Sequence, residues 1–542
     1  MEKYYITTPI YYVNDKPHLG HAYTSVACDA IARFMRLDGL DVKFLTGTDE
    51  HGQKVEKSAE KAGIPPQAFV DEVSEHFRDM AKILNLTNDD FIRTTEPRHI
   101  TAAQEMWKKL EEAGDIYLGG YAGWYATRDE AFYQESEMTF VSSKCAIQFQ
   151  NEKGENINFV SLTPDQIRDE VKAGNGKYVA PTGADVEWVE EPSYFFKLSK
   201  YQQPLLDFYA ANPDFILPES RRNEVVSFVK GGLKDLSISR TTFTWGMPVP
   251  GDDKHIMYVW LDALTNYWTA AKDDGFWPAN LHMVGKDILR FHTVYWPAFL
   301  MSAKLEVPKR VFAHGWWTIE GEKMSKSLGN VVAPDHLVEK YGLDQTRYFL
   351  LREVPFGSDG NFSRQNMFDR INADLANNIG NLAQRTLSMI AKNAGEQVPT
   401  PQAEMLPQDI ALMEMVRLTA VDGAAAAREQ MQRCKFGEVI GAILSMASTA
   451  NEYIDREAPW TLKKTDPARM QSVLYYLAES IRCIAIMLQP FTPDAANKLL
   501  DQLAIPENQR LFKHLTAEFA LVPTTPLPKP EGVFPRLMAD AA

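Results

Sequence analysis

The order of patterns along the 542 residues predicts an α/β fold: a Rossmann-type parallel sheet, interrupted by a β-rich connective insertion and followed by an α-helical bundle. Three observations carry that expectation. Strand-like runs alternate with amphipathic helical stretches over residues 1–115 and again over 236–322, as parallel strands joined by crossover helices require. Residues 116–235 change texture to Gly, Tyr and Trp in short alternating runs. Over 366–522 the apolar residues recur near every 3.6 positions, so helices packed on helices are expected.

In the first half, a strand is expected at 4–8 and a helix at 22–37. Between them stands Pro17-His18-Leu19-Gly20-His21. A helix start offers unpaired N–H groups and a positive dipole end to phosphates. His18 and His21, at i and i+3, face the same side, and Gly20 lets a nucleotide lie against backbone where a Cβ would intrude. A second strand, 42–46, leads into Gly47-Thr48-Asp49-Glu50-His51-Gly52, and a helix follows at 66–84. Strand ends of a doubly wound sheet open onto its ligand crevice, so Asp49 can reach a substrate there, although Asp and Gly equally suit a turn and helix cap.

In the second half, Trp260, Ala263, Leu264 and Tyr267 follow i, i+3, i+4, i+7 spacing, giving one apolar and aromatic face. A strand is expected at 281–285, a helix at 288–303 with Ile288, His292, Tyr295 and Trp296 along one side, and a strand at 310–314. Such stripes are core in most proteins; aromatic rings with a His also suit a polarizable apolar substrate, because sulfur makes favourable contacts with rings. Lys323-Met324-Ser325-Lys326-Ser327 comes next. By itself it reads as a solvated basic turn. Paired with the histidine string, in this order and each after a strand, it reads as the other half of one ATP site.

The two strings resemble the paired signature of class I aminoacyl-tRNA synthetases, where the second is a mobile loop whose second lysine reaches the ATP phosphates. Further matches narrow the resemblance to the methionyl-tRNA synthetase family, of the bacterial or organellar type without a zinc knuckle: Pro9-Ile10-Tyr11-Tyr12-Val13-Asn14, residues 47–52, 258–267 and 284–296, and His314-Gly315-Trp316-Trp317. It spans essentially the whole chain.

The resemblance implies that Ile10, Tyr12, Asp49, Trp260, Ala263, Leu264, Tyr267, Ile288 and His292 surround methionine. Asp49, helped by the Ile10 carbonyl, would bind the ammonium group, with Tyr12 and His292 towards the thioether. ATP, accompanied by Mg²⁺, would meet His18, Gly20, His21, Gly285, Asp287 and Lys326, with Asp287 contacting the ribose. The catalytic residues implied are His18, His21, Lys323, Lys326 and Arg240. The enzyme implied is a ligase that forms methionyl-adenylate and passes methionine to the terminal adenosine of tRNA(Met), initiator tRNA included.

In the insertion, zinc-carrying relatives have a Tyr-Cys-x-x-Cys-Glu knuckle where this chain reads Tyr125-Ala126-Thr127-Arg128-Asp129-Glu130, and only Cys145 stands from the second pair. Tetrahedral zinc needs four ligands, so no structural zinc is expected, and packing around Trp124, Tyr125, Phe132 and Tyr133 takes its place. In the bundle, Asn377, Asn381 and Arg385 repeat at i+4 and project from one face, and Pro459-Trp460 follows a long helix. Spacing alone allows an ordinary solvated face; the resemblance implies readers of a CAU anticodon. Residues 323–365 are expected to hold the lysine loop and a stem-contact region, and 523–542 a tail that packs back or is mobile.

Composition bounds the rest. With 45% hydrophobic and 24% charged residues the chain is an ordinary globular one, long enough for several cores. Its net charge of −15 argues against indiscriminate binding to nucleic acid or anionic membrane and leaves selective docking open. Cys28, Cys145, Cys434 and Cys483 are scattered, without a CxxC pair. The N-terminus lacks a basic-then-apolar secretory signal, so a cytoplasmic protein without a membrane partner is expected, and the family resemblance implies a monomer. Two other readings fit the ATP strings: a nucleotidyltransferase that never meets tRNA, against which the long helical tail speaks, and a synthetase-derived binding protein, against which the intact His18, His21 and Lys326 speak.

Overall fold

Seven strands form the central sheet: β1 (Lys3–Thr7), β2 (Tyr11–Tyr12), β3 (Asp41–Asp49), β4 (Asp90–Arg93), β5 (Ile216–Leu217), β6 (Leu281–Gly285) and β7 (Val311–His314). Every pairing is parallel, in the order β5-β7-β6-β1-β3-β2, with β4 also on β3. This computed structural model describes residues 2–13, 16–129, 131–133, 137–142, 148–150, 156–158, 169, 172–174, 176–323 and 332–538. Alternation along the strands sorts side chains into two cores: Tyr4, Ile6, Phe44, Met283 and Phe312 enter one, Tyr5, Leu45, Val284 and Ala313 the other.

Strand β3 runs past its expected end to Asp49, because β4 pairs through Thr48–Arg93 and β2 through Tyr12–Asp49, extending the ladder to the rim. Helix α1 (Leu19–Leu37) starts one turn earlier than the apolar pattern indicates, with His18 as its N-cap. Helices α2 (Pro97–Glu112) and α3 (Val259–Thr269) cover the opposite face. The helix expected over 288–303 is present over residues 289–302, entered from a 3₁₀ turn (Lys286–Ile288) and carrying a π turn (Phe291–Tyr295) ahead of its α-helical end (Trp296–Ser302). Pro297 has no N–H for the Thr293 carbonyl, and the Tyr209 hydroxyl donates to that carbonyl at 2.5 Å.

The insertion is built on an antiparallel pair, Ile116–Ala126 against Glu187–Phe196, with a small core of Trp124, Tyr178 and Trp188. The chain re-enters the main sheet at β5, well before the boundary expected at 235, and then returns to the insertion where Leu236–Ser237 pairs with Glu187–Phe196. Insertion and sheet are thus interleaved rather than successive. Among the described residues no His, Cys, Asp and Glu cluster could hold a metal. Glu130, Cys145 and the Phe132 side chain lie outside the described residues.

After residue 365 the chain is helical, as expected, and contains two π-helical stretches, Ile371–Gly380 and Leu418–Asp422. The main helices are Asn381–Asn393, Pro407–Arg417, Phe436–Glu457, Pro467–Leu488 and Pro493–Gln502. The tail packs back: Thr524 and Thr525 bond Val398, Leu527 bonds Glu396, and Leu537 exchanges hydrogen bonds with Asn372. No helix among the described residues is long and apolar enough to cross a membrane.

One hydrophobic core runs without a break from β1 and α1 into the bundle helices. At its centre the fully buried Arg347 guanidinium donates to Asp29 of α1 at 2.6 Å, to the Leu84 carbonyl at 2.9 Å and to the Pro490 carbonyl at 3.1 Å. Removing one partner of a buried ion pair costs about 3–5 kcal/mol, because the other is left uncompensated. Arg347→Met is therefore expected to lower stability by about that amount, read from the urea-unfolding midpoint. A loss under roughly 1 kcal/mol would show that Arg33, also 2.7 Å from Asp29, suffices for the charge.

Candidate active site

Strand β1 and helix α1 set the first wall of the site. His18 caps α1 from an extended conformation (φ −131°, ψ 177°), and its Nδ1 accepts the Gly20 N–H at 3.0 Å. The Nδ1 of His21 accepts the His18 N–H at 3.1 Å, and the two rings stack 3.9 Å apart. Because backbone donors occupy both Nδ1 atoms, each ring carries its proton on Nε2. Burial lowers the pKa of His18, and burial with the neighbouring His18 holds His21 well below the ordinary histidine value, so both are neutral donors at pH 7. A Cβ at residue 20 would lie 2.9 Å from the His18 ring, so Gly20 leaves room for that ring to hold its capping position.

A single cavity of about 1140 Å³ opens over the C-terminal rim of the sheet. Ile10, Tyr12, His18, Gly20, His21, Asp49, Trp260, Ala263, Leu264, Tyr267, Gly285, Asp287, Ile288 and His292 all line it. Trp124, Tyr133 and Trp188 of the insertion close it from above. Asp49 is 7% exposed, and its carbonyl accepts the Val13 N–H at 3.2 Å. Trp260 stacks on Phe291 at 3.8 Å with an interplanar angle of 7°. His292 donates from Nδ1 to the Ile288 carbonyl at 3.0 Å, which leaves Nε2 to accept the Tyr267 hydroxyl proton at 2.7 Å. With both nitrogens engaged, its ring presents an apolar face rather than a donor to whatever fills the pocket.

On the other side, a Cβ at Gly285 would meet Asp287 Oδ1 at 2.5 Å, so the backbone there must be bare for the carboxylate to turn into the cavity. Asp287 accepts the indole N–H of Trp316 at 3.1 Å. Lys286 lies over that indole at 4.4 Å and pairs with Asp359. His314, at the end of β7, donates to the Gly315 carbonyl and receives the Thr24 hydroxyl of α1 at 2.7 Å. Lys286 and His314 line the same cavity and were not singled out as site residues by spacing. They belong to loops after strand ends, where no periodicity marks a side chain as inward.

Arg240 departs from a place beside the reacting atoms. It is 2% exposed, donates to Ser237 Oγ at 2.9 Å and the Ser239 carbonyl at 2.6 Å, lies 5.3 Å from the centre of the Tyr125 ring and 4.9 Å from that of Tyr258, and is not among the lining residues. Lys323 ends the described part of the loop in the strand Glu322–Lys323; its side chain, and residues 324–331 with Lys326, lie outside the described residues. In the bundle, Asn377 and Asn381 are exposed, Arg385 lies over the Trp460 ring at 5.2 Å and bonds Asp455 at 2.6 Å, and Trp460 is 47% exposed beside the buried Pro459. These residues form one surface on the bundle.

The histidine-capped first helix, the carboxylate and the aromatic pocket meet on one rim of a parallel sheet, as the resemblance to class I aminoacyl-tRNA synthetases implies. The family model described as tRNA synthetases class I (M) matches residues 4–387, and that of the anticodon binding domain of methionyl tRNA ligase matches 400–542. The methionine–tRNA ligase of Mesorhizobium japonicum is 55% identical over 542 residues, covering 99% of this chain and 98% of its own. That of Rickettsia bellii is 54% identical over 541 residues, covering 98% and 99%. The Mycobacterium tuberculosis methionyl-tRNA synthetase in complex with methionyl-adenylate superposes with a TM-score of 0.89 at 48% identity, over 99% of this chain and 100% of that one. Its free-state structure gives 0.83 at 45% identity, over 99% of each. The chain belongs to the methionyl-tRNA synthetase family.

The buried His292 has a measurable cost in acid. Burial pushes it down from 6.5 to about 4, so its contribution to stability is complete above pH 6.5 and is lost as the pH falls towards 4, where the unfolded chain binds the proton first. The difference in unfolding free energy between pH 7 and pH 4.5 is expected to shrink by roughly 2–3 kcal/mol in His292→Gln. An unchanged difference in urea titrations would mean that the ring takes up its proton over the same pH range in the folded protein as in the unfolded chain.

Proposed function

We propose that this chain is a methionine–tRNA ligase that activates L-methionine with MgATP and charges tRNA(Met), initiator tRNA included. The observation that carries the reading is that, among the described residues, the methionine and ATP residues implied by the family resemblance line one continuous cavity. A carboxylate and an α-phosphate bound there are brought within reach of each other. In the first step a methionine carboxylate oxygen attacks the α-phosphorus, the bond to the β-phosphate oxygen breaks, and pyrophosphate leaves. In the second, a hydroxyl of the tRNA terminal adenosine attacks the adenylate carbonyl, and AMP leaves.

Neither step needs a protein nucleophile, so the chain's part is positioning and charge stabilisation. Asp49 would hold the ammonium group, and the rings of Tyr12, Trp260 and His292 would surround the thioether. The neutral Nε2–H donors of His18 and His21 would face the phosphate as charge builds on it, assisted by Lys323 and Lys326. Neutral imidazoles can serve this role without repelling Mg²⁺ that enters with ATP. Asp287 would receive the ribose, its Trp316 contact holding it in place. Arg240, buried behind the wall, would act on the reacting atoms only through neighbours.

The exposed face of Asn377, Asn381, Arg385 and Trp460 would read the anticodon, with Trp460 stacking on an unpaired base. Both substrate sites sit in one chain, which supports a monomer as the working unit. A cytoplasmic location is part of this reading, supported by an N-terminus without a basic-then-apolar secretory pattern.

Pyrophosphate exchange into ATP should depend on methionine; exchange driven by leucine, or by no amino acid, would overturn the reading. Losing one phosphate-stabilising donor costs roughly 3 kcal/mol, so Lys326→Ala should slow exchange on the order of 100-fold. Trp460→Ala should lower tRNA(Met) charging by about 5–100-fold in kcat/KM and leave exchange unchanged, since base stacking on an aromatic ring is worth about 1–3 kcal/mol. Equal loss in both assays would place Trp460 in folding instead.

A further inference from the structure

A carboxylate that touches neither cavity nor solvent ties the two sides of the amino-acid pocket together. Asp262 of α3 is 1% exposed and is not among the cavity-lining residues. One of its oxygens lies 2.6 Å from His51 Nδ1, the other 2.8 Å from His99 Nε2. His51 stands two residues beyond Asp49, at the end of β3, and His99 belongs to α2. His99 in turn reaches Thr269 Oγ1, at the far end of α3, at 3.2 Å. Burial would raise the Asp262 pKa, but the two imidazoles outweigh it and hold the group ionised.

The next residue back is fixed from the opposite direction. Glu50 is fully buried and accepts two hydrogen bonds from Arg93 of β4, at 2.6 and 3.0 Å, and others from Thr48 and Thr95. The segment that carries Asp49 is thereby stretched between β4 and α3. On α3, Trp260 before Asp262 and Ala263, Leu264 and Tyr267 after it supply the pocket's aromatic and apolar wall. A buried carboxylate is a costly way to join two elements that an apolar pair would join as well, so its geometric precision is the property it adds.

We infer that Asp262 is a specificity-positioning residue: by bridging His51 and His99 it fixes the distance between the ammonium anchor at Asp49 and the wall presented by α3. The pocket therefore measures side-chain length from the ammonium group. This rests on the methionine reading above. A methylene is worth about 10–200-fold in discrimination only when the far wall does not yield. Ethionine, one methylene longer at sulfur, is the probe for that wall.

Kinetics of exchange with methionine and with ethionine test it in Asp262→Asn and His51→Gln. In each, the methionine KM is expected to rise at least about tenfold, the methionine-to-ethionine ratio of kcat/KM to fall at least about threefold, and the ATP KM to stay within about twofold, since a yielding wall relaxes the penalty on the longer substrate. An asparagine amide nitrogen overlays Nδ1 of histidine, so His51→Asn should restore the ratio, whereas the glutamine nitrogen overlays Nε2 and should not. Should Asp262→Asn fail to fold, the two His51 variants decide alone. A ratio unchanged in His51→Gln, or equal losses with both amino acids, would overturn the inference. Failure of the wild type to exchange with methionine would overturn the functional reading instead.

Discussion

The parallel direction of the sheet is the constraint from which the site follows. Strands joined through crossover helices all end at one edge. Here β1 leads to Ile10 and His18, β3 ends at Asp49, β6 at Gly285 and β7 at His314. Residues far apart in sequence thus meet on one rim without any long-range recognition beyond strand pairing. Alternation along the same strands divides the interior, so that one face packs α1 and the bundle while the other packs α2 and α3. Cavity, anchor and wall are consequences of that order.

Histidine is used in three distinct states around this rim. His18 and His21 accept backbone N–H groups, which fixes their tautomer and leaves a donor; His292 donates to a carbonyl and accepts a hydroxyl, which leaves none. His51 and His99 face a carboxylate. Burial keeps His18, His21 and His292 neutral, yet their hydrogen-bond partners assign opposite roles. The partner's chemistry, not the residue type, decides whether the ring can stabilise a phosphate or only shape a pocket.

What was legible in the sequence is what local order determines. The strand-helix alternation, the histidine cap and the stripe at Trp260, Ala263, Leu264 and Tyr267 depend on residues a few positions apart, and they were found at the expected places. The π turn at Phe291–Tyr295 was not legible, because it answers to Pro297 together with a hydroxyl from Tyr209, distant in the chain. The interleaving of the insertion was hidden for the same reason: Ile216–Leu217 is too short to show as a strand and becomes one only beside β7. Arg240 was marked by resemblance as catalytic, but no spacing could say that Tyr125 and Tyr258 would enclose it. The role each candidate residue plays is a further question that position on the rim leaves to kinetics.

The same distinction explains how the bundle relates to the cavity. Interfaces between domains of one chain are commonly polar and allow relative motion. Here the core of the sheet continues into Phe436–Glu457 and Pro467–Leu488, and Arg347 binds α1, the Leu84 carbonyl and the Pro490 carbonyl in one buried knot. Asp344, on the same helix as Arg347, accepts the Ala495 N–H at 2.6 Å and so fixes the start of Pro493–Gln502 as well. Helix α1 therefore carries His18 at one end and the bundle's attachment along its length. On the proposed reading, a tRNA held at Trp460 would have to bring its terminal adenosine to a cavity whose place relative to the bundle is set by this shared packing.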